Sequence, residues 1–498
     1  MNSNIKRRRL IKNIVSYAIM AIVSLAGLIV CITWVMGYRF DIESGKFSQV
    51  ALLQFNTFPE GETIWAGKAQ ISATTPTRSN VSSGTLEVSM LKDGYHVWKK
   101  TVNTLPSTVR WLDYARLVPK NVKTDSIKSF RAISQVLPSP NRNFIALKID
   151  NQEPALTIAN ISNPKNVKFN TFDFTSDVIT TSPKPELDNY QVVEWDAGSR
   201  FLLVKHTFKD QDDKLVNEYL RLDRDNNKLI KNVSRDLGLV FNSQANDSEM
   251  HFIGGGGNLM YGLINGNLRK LDYGSLTVTA PIATNVLSYS IYGTDRVALV
   301  RKSAKGNKNK LDVVIYYGDK LHVIKSYDDS ADIKIGLSKY NGVNYLAIAR
   351  GENVSIYPNP LDDLPTDNKD LAHGVSSGQA TRPVYLSVGP VDYIKFSPNG
   401  RFLLSKKGNL VSSFDTETSE NYSFNIKKTV NDLVWLDDYN LVDIDDNGVS
   451  MMEFDGNNRR HIVSGTMSAG LSANYKYFFS IDNVAGGVML QRSTMTAN

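Results

Sequence analysis

From Ile14 to Met36 the chain reads IVSYAIMAIVSLAGLIVCITWVM, with no charged residue in the run. As a helix it would reach about 35 Å, enough for the roughly 30 Å hydrocarbon core of a bilayer. After it the pattern changes. Short runs such as VALLQF, TLEVSML, FIALKI, RFLLVKH and LDVVIYY hold β-branched and aromatic residues, and no segment keeps a helical period over a useful length. N-G, D-G, G-G and S-P-N clusters separate these runs, which is turn chemistry. The pattern predicts one membrane-length helix followed by an all-β ectodomain.

The β part carries a weak internal repeat from about Arg131 onward. SPNRNFIALKI begins at Ser139, DAGSRFLLVKH at Asp196, GGGGNLMYGLI at Gly254 and YGTDRVALVRK at Tyr292. YNGVNYLAIAR follows at Tyr340, SPNGRFLLSKK at Ser397, LDDYNLVDIDD at Leu436 and LSANYKYFFSI at Leu471. Each unit is a turn cluster, a strand, a second turn and another strand. The starts lie roughly 35–58 residues apart, near the four-stranded blade period of a β-propeller. Eight units predict seven or eight blades, because ring closure often splits one blade between the chain ends. Stacked sandwiches are the alternative, but their repeat is usually longer.

Charge sharpens the reading of the N-terminus. Lys6, Arg7, Arg8, Arg9 and Lys12 precede the apolar run, and no acidic residue occurs before Asp41. The positive-inside rule then places the N-terminus in the cytoplasm and the remainder outside. Trp34 and Tyr38 fall where an interfacial aromatic belt sits on the far side. A cleaved signal peptide competes, yet it calls for a shorter apolar core and an A-x-A-like site that the sequence lacks. Removing those five from the 57 basic residues leaves 52 against 50 acidic ones, so the body has no electrostatic footprint for nucleic acid. Cys31, the one cysteine, lies inside the apolar run behind Val30, where a lipoprotein needs a small residue. It reads as an apolar thiol, so the ectodomain folds without disulfides or thiolate metal sites.

Between Phe55 and Lys100 several spaced features agree with a known module. They are Pro59, Glu60 and Gly61, then Gly67, Thr74-Thr75-Pro76, Gly84 and the closing KDGYHVW from Lys92 to Trp98. This stretch resembles the PEGA domain, a small β module of bacterial and archaeal surface-layer-like proteins. Glu62 stands where the family has Ala, and the Gly that usually precedes Thr-Pro is missing. These positions read as turns and core, a scaffold rather than an active site. Ser397 to Glu420 likewise resembles a blade of the TolB-like propellers, which use an S-P-D-G-x hairpin. The expected organisation is a cytoplasmic tail at 1–13, a transmembrane helix at 14–36 and a PEGA-like β-sandwich module at 46–118. A joint at 119–130 and a seven- or eight-bladed propeller at 131–498 complete it. Residues 358–383 read as a long exposed loop inside the head.

Candidate chemistry is sparse. Gly374-Val375-Ser376-Ser377-Gly378 fits G-x-S-x-G, but a nucleophile elbow needs a sharp strand-to-helix turn, and neighbouring Asp370 and His373 do not make a triad. Asp443, Asp445 and Asn447, followed by Gly448, fit the first half of a calcium loop, although Phe454 stands where the bidentate Glu belongs. A hairpin turn flanked by solvated acids is the plainer reading. Gly254 to Gly257 lacks the G-K-[ST] of a phosphate loop. The six histidines lie far apart, and the basic run from Arg301 to Lys310 reads as a solvated hairpin tip. The expectation is a non-catalytic, membrane-anchored envelope protein whose propeller binds another protein or a cell-wall glycan. No cofactor is expected except calcium at the half-loop. The competing expectation is a hydrolase of envelope polymers with carboxylates gathered in the propeller channel, which leave no local motif.

Overall fold

The computed structural model describes residues 2–41, 46–61, 63–67, 69–72, 74–242, 249–294, 296–303, 310–328, 332–362, 383–387, 391–427 and 433–497. The G-x-S-x-G stretch with Asp370 and His373, most of the Arg301–Lys310 run, and Glu62 lie outside the described residues. The chain divides into two compact units, residues 1–121 with 496–498, and residues 122–495.

The first unit opens with helix α1, Asn2–Val35. Its segment Ile11–Val35 is strongly apolar and buries no face. An all-round apolar surface of that length has no partner within the fold, as a membrane span requires. The helix starts well before Ile14 because Lys and Arg are good helix formers and extend it through the basic tail. Gly37, at φ +79, ends it, and its N–H donates to Trp34 O. Two four-stranded sheets follow. One combines Tyr38–Asp41, Lys46–Phe58, Thr77–Ser82 and Val109–Arg116, and the other Ala69–Ser72, Thr63–Ala66, Gly84–Leu91 and Trp98–Thr104. Alternate residues point inward, so Leu53, Phe55, Val88, Met90, Trp98 and Leu112 form a dry core. At one corner Thr75 Oγ1 accepts from Gly61 N at 3.0 Å and lies 2.6 Å from Thr57 Oγ1, while Lys92 Nζ donates to Glu60 O. The Pro59-Glu60-Gly61 and Thr74-Thr75-Pro76 turns are thus hydrogen-bonded to each other. Residues 496–498 return to this unit, where the Ala497 amide donates to Tyr95 Oη at 2.6 Å.

The second unit is an eight-bladed β-propeller. Seven sheets run through four strands in chain order, the second with the short strand Phe241–Asn242 added; the first strands are Gln135–Pro138, Asn189–Trp195, Glu249–Phe252, Val286–Tyr292, Ile333–Tyr340, Tyr393–Phe396 and Val434–Trp435. The eighth joins Met467–Leu471, Tyr477–Val484 and Gly487–Thr494 to Lys123–Phe130, from the start of the unit. First strands touch between blades 1 and 2, 2 and 3, 4 and 5, 5 and 6, and 8 and 1, so they line the ring's centre. The ring is closed by a strand that the sequence pattern places in the joint at 119–130. That outermost strand, KTDSIKSF, has solvent along much of its length, which explains its polar reading.

The core is partitioned between blades. Ala146, Leu156, Ile158 and Phe172 of blade 1 meet Val192, Leu202 and Leu220 of blade 2, and similar clusters join blades 2 to 3, 3 to 4, 4 to 5, 5 to 6 and 8 to 1. A strand buried on both faces reads as a continuous apolar run rather than an alternating one. All eight repeat units begin at the last residue of a blade's first strand or in the hairpin just after it, so the eight units match the eight sheets. The hairpin chemistry explains the repeat. Ser139, Ser397 and Ser472 each accept, through Oγ, the N–H five residues on, at 3.0–3.1 Å. Each hydroxyl in turn donates to the Asn two residues ahead. Asp196 does the same work in blade 2, where one carboxylate oxygen accepts from the Arg200 and Phe201 amides. The fourth residue of these turns sits at positive φ: Arg142, Ser199, Gly400 and Tyr475. Gly400 has a further reason, since a Cβ there would lie 2.6 Å from Lys339 O.

Candidate functional site

The first strands enclose a cavity of about 770 Å³ built from blades 6, 7, 8, 1 and 2. Its wall is mainly aliphatic, with Leu137, Val192, Val434, Ile444 and Met467 among the contributors, together with the Trp435 ring. Arg142 and Lys395 are its charged residues; no carboxylate lines it among the described residues. Arg142 stacks on Tyr475, 4.6 Å from the ring centre. Val434 is 45% exposed, an apolar side chain held out to solvent inside a concave wall. Such a surface can desolvate an apolar guest and place an anionic group against two cations.

A second cavity, of about 460 Å³, lies at the turn end of the first strands of blades 2, 3 and 4. Here His251 sits between two carboxylates, with Nδ1 3.1 Å from Glu194 Oε2 and Nε2 3.6 Å from Glu249 Oε2. Tyr289 meets the imidazole edge-on at 5.5 Å and donates its hydroxyl to Tyr261 O. Burial alone would push His251 down, but hydrogen bonds and charge from Glu194 and Glu249 outweigh it and raise the imidazole to about 10. The folded value lies above the unfolded one near 6.5. The stabilisation is therefore complete below pH 6.5 and fades as pH rises towards 10. The His251 ring should show no proton NMR titration between pH 6 and 8, whereas Glu194→Gln should bring a titration into that range. No sequence motif marks this trio. Glu194 and His251 are 57 residues apart, about the blade 2 to blade 3 repeat distance, and only superposing the repeats would have paired them.

The half-loop residues are placed as follows. Asp443 and Asp445 lie on the second strand of blade 7, and Asp445 pairs with Gly448 across a two-residue turn. The Asn447 amide donates to Asp445 Oδ1 at 2.9 Å, an Asx turn. Both carboxylates face Arg459, whose Nη2 is 3.0 Å from Asp445 Oδ2 and closer still to Asp443 Oδ2. Burial pushes the Asp443 carboxyl upward against the pull of Arg459. The acids are not the solvated flank of a turn: Asp443 is fully buried, and the cation they face is a guanidinium. Among the described residues, no group of three or more His, Cys, Asp or Glu side chains is arranged to hold a metal. His206 is likewise structural, stacked between Tyr190 and Phe208 and held at 2.8 Å by Glu218.

These features define the chain as an eight-bladed β-propeller protein with one apolar N-terminal helix of membrane length. No protein-family model matches it, and no curated protein matches it in sequence. Among solved structures, it is similar to an oligogalacturonate lyase in complex with manganese, at 10% identity and TM-score 0.39, covering 76% of this chain and 98% of that one. A Dos1 propeller gives 13% identity and TM-score 0.44, covering 76% and 95%. Dipeptidyl peptidase 4 of Porphyromonas gingivalis gives 12% and 0.47, covering 74% and 58%.

Proposed function

We propose that the chain is a single-pass membrane protein of the cell envelope, with its N-terminus in the cytoplasm. Its propeller binds an apolar segment of a partner protein without catalysing a reaction. The resemblance of residues 55–100 to the PEGA domain supports an envelope setting, and the basic cluster before α1 supports the orientation. The carrying observation is the mainly aliphatic wall of the 770 Å³ cavity, without a carboxylate among the described residues, with Arg142 and Lys395 beside it. A wall glycan would call for more hydrogen-bonding groups and exposed aromatic platforms than this wall offers. A photo-cross-linking residue at Val434 in intact cells should give a discrete protein adduct, and one at Leu410, on the third strand of blade 6, should not. Val434→Arg should abolish the binding of that partner. Saturable pelleting with cell-wall sacculi, lost in Val434→Arg, would instead make the ligand a glycan. The absence of both adduct and pelleting would overturn binding in the channel.

A second reading, hydrolysis of an envelope polymer, draws on the Glu194–His251–Glu249 trio, of which Glu194 and His251 line the other cavity. It predicts turnover that Glu249→Gln removes. Calcium at Asp443, Asp445 and Asn447 would have to displace Arg459 from both carboxylates.

A further inference from the structure

The end of α1 is tied to a turn of the β module that follows it. Ser107 Oγ donates to Val35 O at 3.0 Å, and the Ser107 amide donates to Val50 O at 3.0 Å. Val50 N in turn donates to Gly37 O, and Leu52 N to Thr108 O. The contact is close, for a Cβ on Gly37 would lie 2.5 Å from Ser107 Oγ. Val35 is next to last in the apolar run, so this turn stands where the hydrocarbon core gives way to headgroups if α1 spans the bilayer.

The side chains flanking Ser107 do not suit water. Leu105 is 62% exposed and Val109 48%, and Trp111 extends the same outward face of its strand. Each of the first two is two residues from Ser107, so at most about 7 Å of chain separates it from the helix end. Interfacial elements bury apolar side chains about 5–10 Å into the headgroup and acyl boundary, which matches that reach. On the helix side, the Arg39 guanidinium lies 4.4 Å from the Trp34 ring centre and donates to Trp34 O. That pair presents an aromatic ring and a cation at the same level, where interfacial anchors sit.

We infer that the β module is itself a lipid-contacting element, with Leu105 and Val109 inserted into the interface of the leaflet that α1 leaves. This rests on the reading of α1 as a retained membrane anchor. The partner is the phospholipid bilayer, because the turn is hydrogen-bonded to the helix at the membrane boundary. A module so held is fixed against the surface instead of swinging on a tether.

The test uses the full chain in phosphatidylcholine–phosphatidylglycerol vesicles, with an environment-sensitive fluorophore on single cysteines. Leu105→Cys and Val109→Cys are made in a Cys31→Ser background, with Glu87→Cys, on the other sheet and 59% exposed at its side chain, as the aqueous control. Native Cys31 reports the helix. The expected result is blue-shifted emission at 105 and 109, with several-fold quenching by shallow doxyl lipids and none at 87. Quenching at Cys31 by deep doxyl lipids without quenching at 105 and 109 overturns the inference and leaves the anchor standing. No quenching at Cys31 overturns the anchor, and the inference with it. Equal quenching at 87 and 105 also overturns it, since the dye rather than the turn would then be seeking lipid.

Discussion

Replacing Arg401 by Ala should destabilise the propeller by about 3–5 kcal/mol, the usual result of removing one partner from a buried ion pair. Arg401 is held by the blade 6 hairpin, with its side chain only 7% exposed. Its Nε and Nη2 donate to the two oxygens of Asp415 at 2.9 and 2.7 Å, and Nη1 reaches Glu417 at 2.6 Å. Burial works against the charged guanidinium, yet the hydrogen bonds and charge of Asp415 reverse that and drive its pKa up. Without the arginine, Asp415, 1% exposed, keeps a carboxylate with no cation beside it. Blade 2 supplies an internal comparison. Arg200 makes the same two-pronged contact with Asp223, at 3.1 and 2.7 Å, but its side chain is 53% exposed. Water screens that guanidinium, so Arg200→Ala should cost clearly less than Arg401→Ala. Urea unfolding of the two variants measures the difference. Equal costs would mean that the geometry of the pair, and not its burial, sets its contribution.

The contrast between these arginines also shows where sequence reading stops. Both occupy the same place in the repeat, in SPNGRF and in DAGSRF, and nothing local distinguishes the buried one. What was legible is what each blade encodes within itself. The Ser or Asp that accepts a hairpin amide and the apolar strand after it recur because every blade must solve the same turn, and eight units became eight blades. The blade count stayed open in the sequence because the last sheet borrows its outer strand from residues 123–130, more than 350 positions away. An outermost strand has one face in water and no neighbouring blade beyond it. Its apolar signal is therefore weak, and it reads as a joint. The surroundings of the half-loop in blade 7 were hidden for a related reason. Asp443 and Asp445 match a calcium ligand spacing, but their partner Arg459 arrives from beyond the next strand. The Glu194–His251–Glu249 trio needed two adjacent blades before it existed at all. Local chemistry was readable, and chemistry assembled across blades was not.

Ending the chain after Gly486 should abolish the folded propeller, whereas ending it after Met495 should leave it intact. The first truncation removes Gly487–Thr494, which pairs on one side with Tyr477–Val484 and on the other with Lys123–Phe130. Leu490 leaves a core where it packs with Phe130, Ile145, Leu147, Phe479 and Ile481. Burying one such side chain is worth about 1.5–3 kcal/mol. Its loss also exposes Phe130 and Ile481, and two strands lose a hydrogen-bonded neighbour. The tie between Arg492 and both Asp125 and the Pro164 carbonyl goes with it. Against a typical stability of about 5–15 kcal/mol, these losses are enough to open the ring. An opened propeller presents an apolar blade face and an unpaired strand edge, so the product should aggregate. The shorter truncation removes only Thr496–Asn498, which belong to the other unit, where Ala497 meets Tyr95. Soluble yield and a cooperative urea transition are the readouts for both chains. A cooperative transition in the chain ending at Gly486 would mean that seven blades and part of an eighth hold the ring without closure by residues 123–130. The division of blade 8 between the two ends of the unit would then add nothing to its stability.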